Sequence, residues 1–369
     1  SMKKLINLIA GLLLLSSLSA CKSDNPVAPV NPENLNVNII QPEDRSGTIV
    51  VEANAQHAEY YEFYPGDFTD TLLSSNLGTF EYKYEAGGIY TAEVRAYGSS
   101  GRFIAQDLRV QIDLPTTIDT TDGYATPLSY EGMELVWHDE FSSNTLNQDI
   151  WSYDNGDGCP DLCGWGNNEL QIYREENSWI DEGLFVIEAR RENFQGRDFT
   201  STKIISADKQ LVQYGRIDVR AKLPKGQGYW PAIWLLGRNL PQVGWPKCGE
   251  IDIMEMIGGA DREKTVHGTA HWYKDGHVSS GGSKTKEIGL DESFHVFTIL
   301  WDEEAIEWYI DDQFYYRLDI TEDHQTEFHA PFYFIINLAV GGNWPGNPDN
   351  STVFPARMYV DYVRAFRKI

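Results

Sequence analysis

Three carboxylates stand within six residues of this 369-residue chain, in the run Glu250-Ile251-Asp252-Ile253-Met254-Glu255. Ile251, Ile253, Met254, Met256 and Ile257 lie between and beside them, so the segment reads as a buried strand. A carboxylate in apolar surroundings costs free energy unless it is paired or protonated, and groups held that way commonly have a chemical task. Side chains alternate along a strand, so Glu250 and Asp252 point the same way while Glu255 falls on the opposite face. One extra residue at Ile253 or Met254, a β-bulge, returns Glu255 to the face of the other two. Two glutamates on one face with an aspartate between them suit acid–base work on a glycosidic bond. The competing reading, an edge strand with a solvated acidic face, is contradicted by the apolar flanks.

Extended upstream, the segment Gly244-Trp245-Pro246-Lys247-Cys248-Gly249-Glu250-Ile251-Asp252-Ile253-Met254-Glu255 closely resembles the catalytic signature of glycoside hydrolase family 16, in its laminarinase branch of endo-β-1,3-glucanases. The resemblance spans about Glu131 to Ile369. Trp137-His138-Asp139-Glu140-Phe141, Gly164-Trp165-Gly166-Asn167-Asn168-Glu169-Leu170 and Trp230-Pro231-Ala232-Ile233-Trp234 also carry it. So do Asn337-Leu338-Ala339-Val340-Gly341-Gly342-Asn343-Trp344 and Met358-Tyr359-Val360-Asp361-Tyr362-Val363-Arg364. It implies a β-jelly roll of two bent antiparallel sheets with a substrate cleft on the concave face.

The resemblance implies Glu250 as nucleophile, Glu255 as general acid/base and Asp252 as the group that orients Glu250. Both glutamates hang from one strand, so their separation should be short; about 5–5.5 Å means retention of anomeric configuration and a wider gap inversion. Trp230, Trp234 and Trp245 resemble the stacking residues of the minus subsites, with core packing as the plainer alternative. Asn168 resembles a hydroxyl-binding residue. Arg190 is a candidate of the same kind, equally readable as a surface salt bridge. His271 is expected near the acid/base or the plus side, or as a satisfied core histidine. Glu140, Gly183 through its carbonyl and Asp361 resemble the family's structural calcium ligands, hard oxygen donors of the kind calcium takes. The alternative is solvated surface acids, and no organic cofactor is expected.

Composition narrows the partners. Acidic residues number 55 against 30 basic, a formal net charge of −25. Nucleic acid needs a basic footprint and is excluded. Sulfated or uronic polysaccharides are disfavoured by the same field, which leaves a neutral β-glucan as the easier substrate. The Gly-Trp-Pro lead-in also speaks against agarase or carrageenase specificity. The 11 Trp, 20 Tyr and 16 Phe suit a β-rich domain that stacks on sugars, although most must fill a core.

The chain divides by composition. Residues 1–20 read as a lipoprotein signal peptide: Lys3-Lys4, an apolar run from Leu5 to Leu15 too short to span a bilayer, then Leu18-Ser19-Ala20-Cys21. The last four resemble a bacterial lipobox, with Cys21 lipidated; an ordinary secretory signal is the alternative. The expected location is the bacterial outer membrane, with a monomer anchored through lipid alone and exposed at the cell surface. Residues 21–34 form the tether and 35–114 short alternating strands separated by turns, a small immunoglobulin-like β-sandwich resembling the polycystic-kidney-disease type. It is expected to act as a spacer more than as a glycan-binding module. A linker at 115–130 leads to the 131–369 jelly roll, so the fold class is all-β throughout. Cys159, Cys163 and Cys248 allow one disulfide and one thiol, with the pairing open. The functional reading is an endo-acting, retaining β-glucanase on β-1,3-glucan or mixed-linkage β-1,3/1,4-glucan. Its rival is a non-catalytic surface glycan-binding lipoprotein, which has no need of all three carboxylates.

Overall fold

The computed structural model describes residues 28–369 other than 43, 44, 68, 113 and 115–117. The signal segment and Cys21 lie outside the described residues. Nearly all regular structure is strand, as expected from the alternating apolar pattern.

The amino-terminal strands form two small sheets. Glu33–Ile40, Thr48–Gln56 and Thr79–Lys83 make one, and Leu73–Ser75, Ala58–Tyr64, Gly88–Gly98 and Phe103–Ile112 the other. Burial alternates residue by residue along Gly88–Gly98, which places Tyr90, Ala92, Val94 and Ala96 inward. These pack with Ile49, Val51, Phe63 and Phe80 in one core.

From Met133 onward two large sheets face each other. The first contains Leu184–Phe194, Ala356–Lys368, Gly215–Lys222, His295–Trp301, Ala305–Ile310 and Gln313–Asp319 in adjacent positions. The second runs His277–Thr285, Thr265–Tyr273, Glu250–Glu255, Tyr229–Gly237, Phe332–Val340, Lys203–Ile205 and Ser152–Tyr153. Their facing sides share one core, in which Ile187, Val219, Phe297 and Val363 meet Ile233, Leu235, Ile251 and Ile336. The other face of the second sheet carries the acids.

The stretch before the first large sheet, expected as a linker, is strapped down by Arg220. Its guanidinium donates to the carbonyls of Thr120, Asp122 and Tyr124 and to Asp361 Oδ2. The two carboxylate-bearing calcium candidates are likewise engaged with arginines. Arg364 clasps both oxygens of Glu140, at 2.8 and 2.7 Å, while Asp361 meets Arg220 at 2.6 Å. Gly183 occupies the turn between Ser178–Asp181 and Leu184–Phe194 with φ +80°.

The expected bulge is present, and Ile253 is the extra residue. Ile233 pairs with Met254 and Trp234 with Asp252, so Ile253 has no partner on the tryptophan-bearing strand. On the other side Asp252 pairs with Thr269 and Glu255 with His267, three residues against two. Both Ile253 and Met254 enter the core, which flips the parity and returns Glu255 to the cleft. A bulge leaves ladder groups unpaired. Here Trp308, from the opposite sheet, donates its indole N–H to the carbonyl of Asp252 at 2.8 Å. Gly268 makes room for it: a Cβ there would fall 2.3 Å from Trp308 Cδ1 and 2.5 Å from the Tyr315 hydroxyl.

Trp308→Phe keeps an aromatic in the core but leaves that buried carbonyl without its donor, at a cost of about 1–3 kcal/mol. Its melting temperature should fall by roughly 2–4 °C for each kcal/mol. Thermal unfolding of the variant beside the parent checks this, and an unchanged midpoint would show that the bulge does not depend on Trp308.

Candidate active site

The acidic strand presents Glu250, Asp252 and Glu255 to the concave face, each with a specific partner. Trp245 donates its indole N–H to Glu250 Oε2 at 2.9 Å, and Trp230 does the same to Glu255 Oε1 at 3.0 Å. His271 stands opposite Glu250 in register and places Nε2 3.0 Å from Asp252 Oδ2 and 3.6 Å from Glu250 Oε1. Its Nδ1 lies 2.8 Å from Nε2 of His277 on the neighbouring strand, and the two rings stack. His271 therefore belongs to the Glu250–Asp252 end of the site. Strand register excludes the core alternative and gives the expected placement at the site, by the acid/base or on the plus side, a definite partner in Asp252.

Burial raises the affinity of all three carboxyls for protons. Glu250 is pushed up to about 8, by desolvation first and then by the charge of Asp252. Glu255 is held well above the usual carboxylate range by desolvation and by the charges of Asp252 and Glu250. Asp252 is also raised by burial. These three share a small volume and titrate as a set. Each glutamate has an indole N–H, but Glu255 feels the charges of both Asp252 and Glu250 while Glu250 feels that of Asp252 and lies nearer His271, so Glu250 gives up its proton before Glu255 does.

The tryptophans divide by environment. Trp245 sits in the loop after the short helical turn Leu240–Val243 and is 48 % exposed, as a cleft-wall residue requires. Trp230 meets Trp344 edge to face, with ring centroids 5.7 Å apart. Trp234 is partly covered by a small cluster containing Leu236, Cys248, Tyr333 and Ile335. Its indole N–H donates to Asn337 Oδ1 at 2.8 Å, and Asn337 continues to Tyr173 and Glu169. Glu169 also holds Asn167, so this buried polar chain fixes the Asn167-Asn168 loop. Asn168 adopts φ 56°, a conformation asparagine tolerates, and donates to Asn343 Oδ1 of the neighbouring loop at 2.8 Å.

Arg190 is elsewhere. It lies on Leu184–Phe194 in the opposite sheet, is 2 % exposed and is bonded to Glu188 at 2.6 Å and to the carbonyl of Glu176. The hydroxyl-binding expectation is corrected, because the parity of that strand and a buried ion pair turn the guanidinium away from the cleft. Cys159 and Cys163 form the disulfide, and Cys248 is a buried thiol pushed up to about 11 by desolvation.

Four residues near the acids had no role assigned from sequence. Trp344 and Asn343 lie in a motif that was legible but whose side chains could not be oriented. His267 pairs with Glu255 and packs edge-on against Trp344 at 4.9 Å. Tyr315 is half-buried, its hydroxyl enclosed without a hydrogen-bond partner among the described residues and within electrostatic reach of Glu255 and Asp252. No sequence signal marks it, since it comes from a hairpin 60 residues downstream of Glu255.

Comparison with known proteins agrees with this geometry. Residues 166–364 match the family described as glycosyl hydrolases family 16. A β-glucanase of Rhodothermus marinus is 40 % identical over 250 residues, covering 63 % of this chain and 85 % of that protein. A glucan endo-1,3-β-glucosidase A1 of Niallia circulans is 35 % identical over 72 % of this chain and 42 % of its own length. Among solved structures, the laminarinase catalytic domain of Thermotoga maritima superposes with a TM-score of 0.60 at 42 % identity, covering 65 % of this chain and all of that one. A matched jelly roll with Glu250, Asp252 and Glu255 gathered on its concave sheet makes this chain a glycoside hydrolase, a member of glycosyl hydrolase family 16.

Proposed function

We propose that the protein is an endo-acting, retaining β-glucanase that cuts β-1,3-glucan, or mixed-linkage β-1,3/1,4-glucan next to a β-1,3 linkage. The observation that carries this reading is the bulge-corrected face on which Glu250 and Glu255 stand, each under an indole N–H. Glu255, holding its proton, protonates the glycosidic oxygen as the bond to the anomeric carbon breaks. Glu250 attacks that carbon from the opposite side and forms a glycosyl ester. Glu255, now ionised, takes a proton from water, whose oxygen displaces Glu250 and restores the starting configuration. Asp252, held by His271, orients Glu250. Trp245 and Trp230 supply aromatic faces beside the reacting sugar, and the neutral substrate suits the acidic chain.

Calcium is proposed as a structural ion held by Glu140, Gly183 and Asp361. The donors are all oxygens, as calcium takes. With Arg364 on both Glu140 carboxylate oxygens, that residue would contribute its carbonyl, alongside Gly183's carbonyl and Asp361 Oδ1. The Cys21 lipobox supports a surface lipid anchor, with the amino-terminal sandwich as spacer.

Three outcomes are expected. Glu250→Ala should lose turnover of laminarin, measured as reducing-sugar release. With an activated aryl β-glucoside, azide should restore turnover and yield an α-glycosyl azide; a β-azide would assign Glu250 as the acid/base.

The pH dependence follows from the raised carboxyls. Activity should appear as pH rises through the Glu250 value, above the ordinary carboxylate range, and fall as Glu255 loses its proton at higher pH. Stability has the same origin: a carboxyl raised in the fold favours folding at low pH, and that contribution is lost from about pH 4.3 upward through the folded value. Glu255→Gln cannot ionise, so its melting temperature should gain on the parent between pH 4 and 8. A constant difference across that range would contradict the raised value.

Chelation with EDTA should lower the melting temperature of the parent, because an ion that binds the folded state alone stabilises it. An unchanged melting curve would remove the calcium proposal.

A further inference from the structure

Arg190, absent from the catalytic cleft, lines a different cavity of about 260 Å³. The amino-terminal sandwich supplies one wall with Ile89, Arg109 and Gln111, and the large sandwich the other with Glu176, Trp179 and Arg190. The two walls are fixed to each other. Arg357 bonds Glu188 at 2.8 Å and also donates to the carbonyl of Gly87. Arg45 pairs with Asp181 at 3.0 Å. A Cβ at Gly88 would fall 2.5 Å from Glu188 Oε1, so the sandwiches meet here as closely as backbone permits.

Arg190, which lines the cavity, keeps one buried donor unsatisfied. Arg190 uses Nε and Nη2 on Glu188 and Glu176, but Nη1 is buried with no hydrogen-bond partner among the described residues. A carboxylate oxygen of Glu192 stands 4.0 Å away, beyond hydrogen-bonding reach. Buried donors are rarely left unmade, because their desolvation is then uncompensated. Beside it are an aromatic face, Trp179, an acceptor, Glu176, and the mixed donor–acceptor amide of Gln111. The charged groups around the space are already paired: Glu176 with Arg109 at 3.8 Å and Arg174 at 3.2 Å, and Glu188 with Arg190 and Arg357. The wall therefore offers an anion or a cation no unpaired charge. A neutral polyhydroxylated ring, with an apolar face and hydroxyls that both donate and accept, matches every one of these groups.

We propose that this cavity is a second carbohydrate-binding site, which takes one neutral hexose unit of a β-glucan between the two sandwiches, apart from the cleft. Ligand sites occur preferentially at domain interfaces, and both walls here are needed. The site would hold the polymer on the protein while the cleft cuts it. The proposal rests on the β-glucan reading for its choice of sugar.

The test is calorimetric titration of full-length Glu250→Gln with laminaritetraose. Two equivalents per chain are expected, a tighter one for the cleft and a weaker one for the cavity. Adding Trp179→Ala should leave one. Because Trp179 also packs partly in the core, Arg109→Ala with Gln111→Ala is the second variant; both residues are exposed strand positions, and it too should leave one. A single equivalent in the Glu250→Gln parent, or two that survive both sets of substitutions, would overturn the second site while leaving the cleft assignment intact. No binding at all would overturn the β-glucan reading and this proposal with it.

Discussion

The carbonyl of Asp252 and the indole of Trp308 meet at the point on which the site depends. Ile253 is one residue more than the neighbouring strands can pair, and the ladder on both sides slips around it. Without that residue Glu255 would point into the core among Ile233, Ile251 and Phe334. With it, two consecutive apolar side chains go inward and the acids before and after emerge together. The backbone irregularity is held from the opposite sheet, so the packing of the two sheets and the spacing of the acids are one constraint. Gly268 belongs to the same constraint, since any larger side chain would occupy the space of Trp308 and Tyr315.

Gathering three carboxyls in so little water is unfavourable, and the surroundings show how the cost is divided. Each acid has one ring nitrogen at hydrogen-bonding distance: the indole N–H of Trp245 donates to Glu250 and that of Trp230 to Glu255, while His271 Nε2 pairs with Asp252. One such partner apiece does not compensate three negative charges, so protons are retained. That retention is the useful outcome, because a glycosidic bond needs one carboxylate and one carboxylic acid side by side. Under the proposed function Trp245 and Trp230 would thus serve twice, as N–H donors to the acids and as aromatic faces for sugar. Trp230 is held against Trp344, and Trp234 beside it donates to Asn337, which continues to Tyr173.

The opposite sheet uses charge differently. Glu188 is held between the guanidinium groups of Arg190 and Arg357, and Arg357 reaches the amino-terminal sandwich at the Gly87 carbonyl. Buried ion pairs add little to stability compared with apolar packing, yet they fix geometry strongly. Here they set the interface between the two sandwiches, and Arg220 does the same for the segment that connects them.

Much of the site was legible in the chain because strand periodicity is local. Three acids among isoleucines and methionines can share one face only by a bulge, and the alternation alone narrows its place to Ile253 or Met254. The six motif blocks likewise identified the jelly roll and the indoles around its cleft. What the sequence could not decide was everything set by contact between distant strands. Parity along Leu184–Phe194 depends on which sheet it joins, so Arg190 read equally well as a sugar ligand or an ion-pair partner, and the fold made it the latter. His271 took its place from a register against Glu250, and Tyr315 and Trp308 came to the acids from hairpins far downstream. The pairing of Cys159 with Cys163, and the exclusion of Cys248 into a buried cluster, likewise followed from tertiary packing. Side-chain identity and spacing are written along the chain, whereas orientation across a sandwich exists only once two sheets have closed on each other.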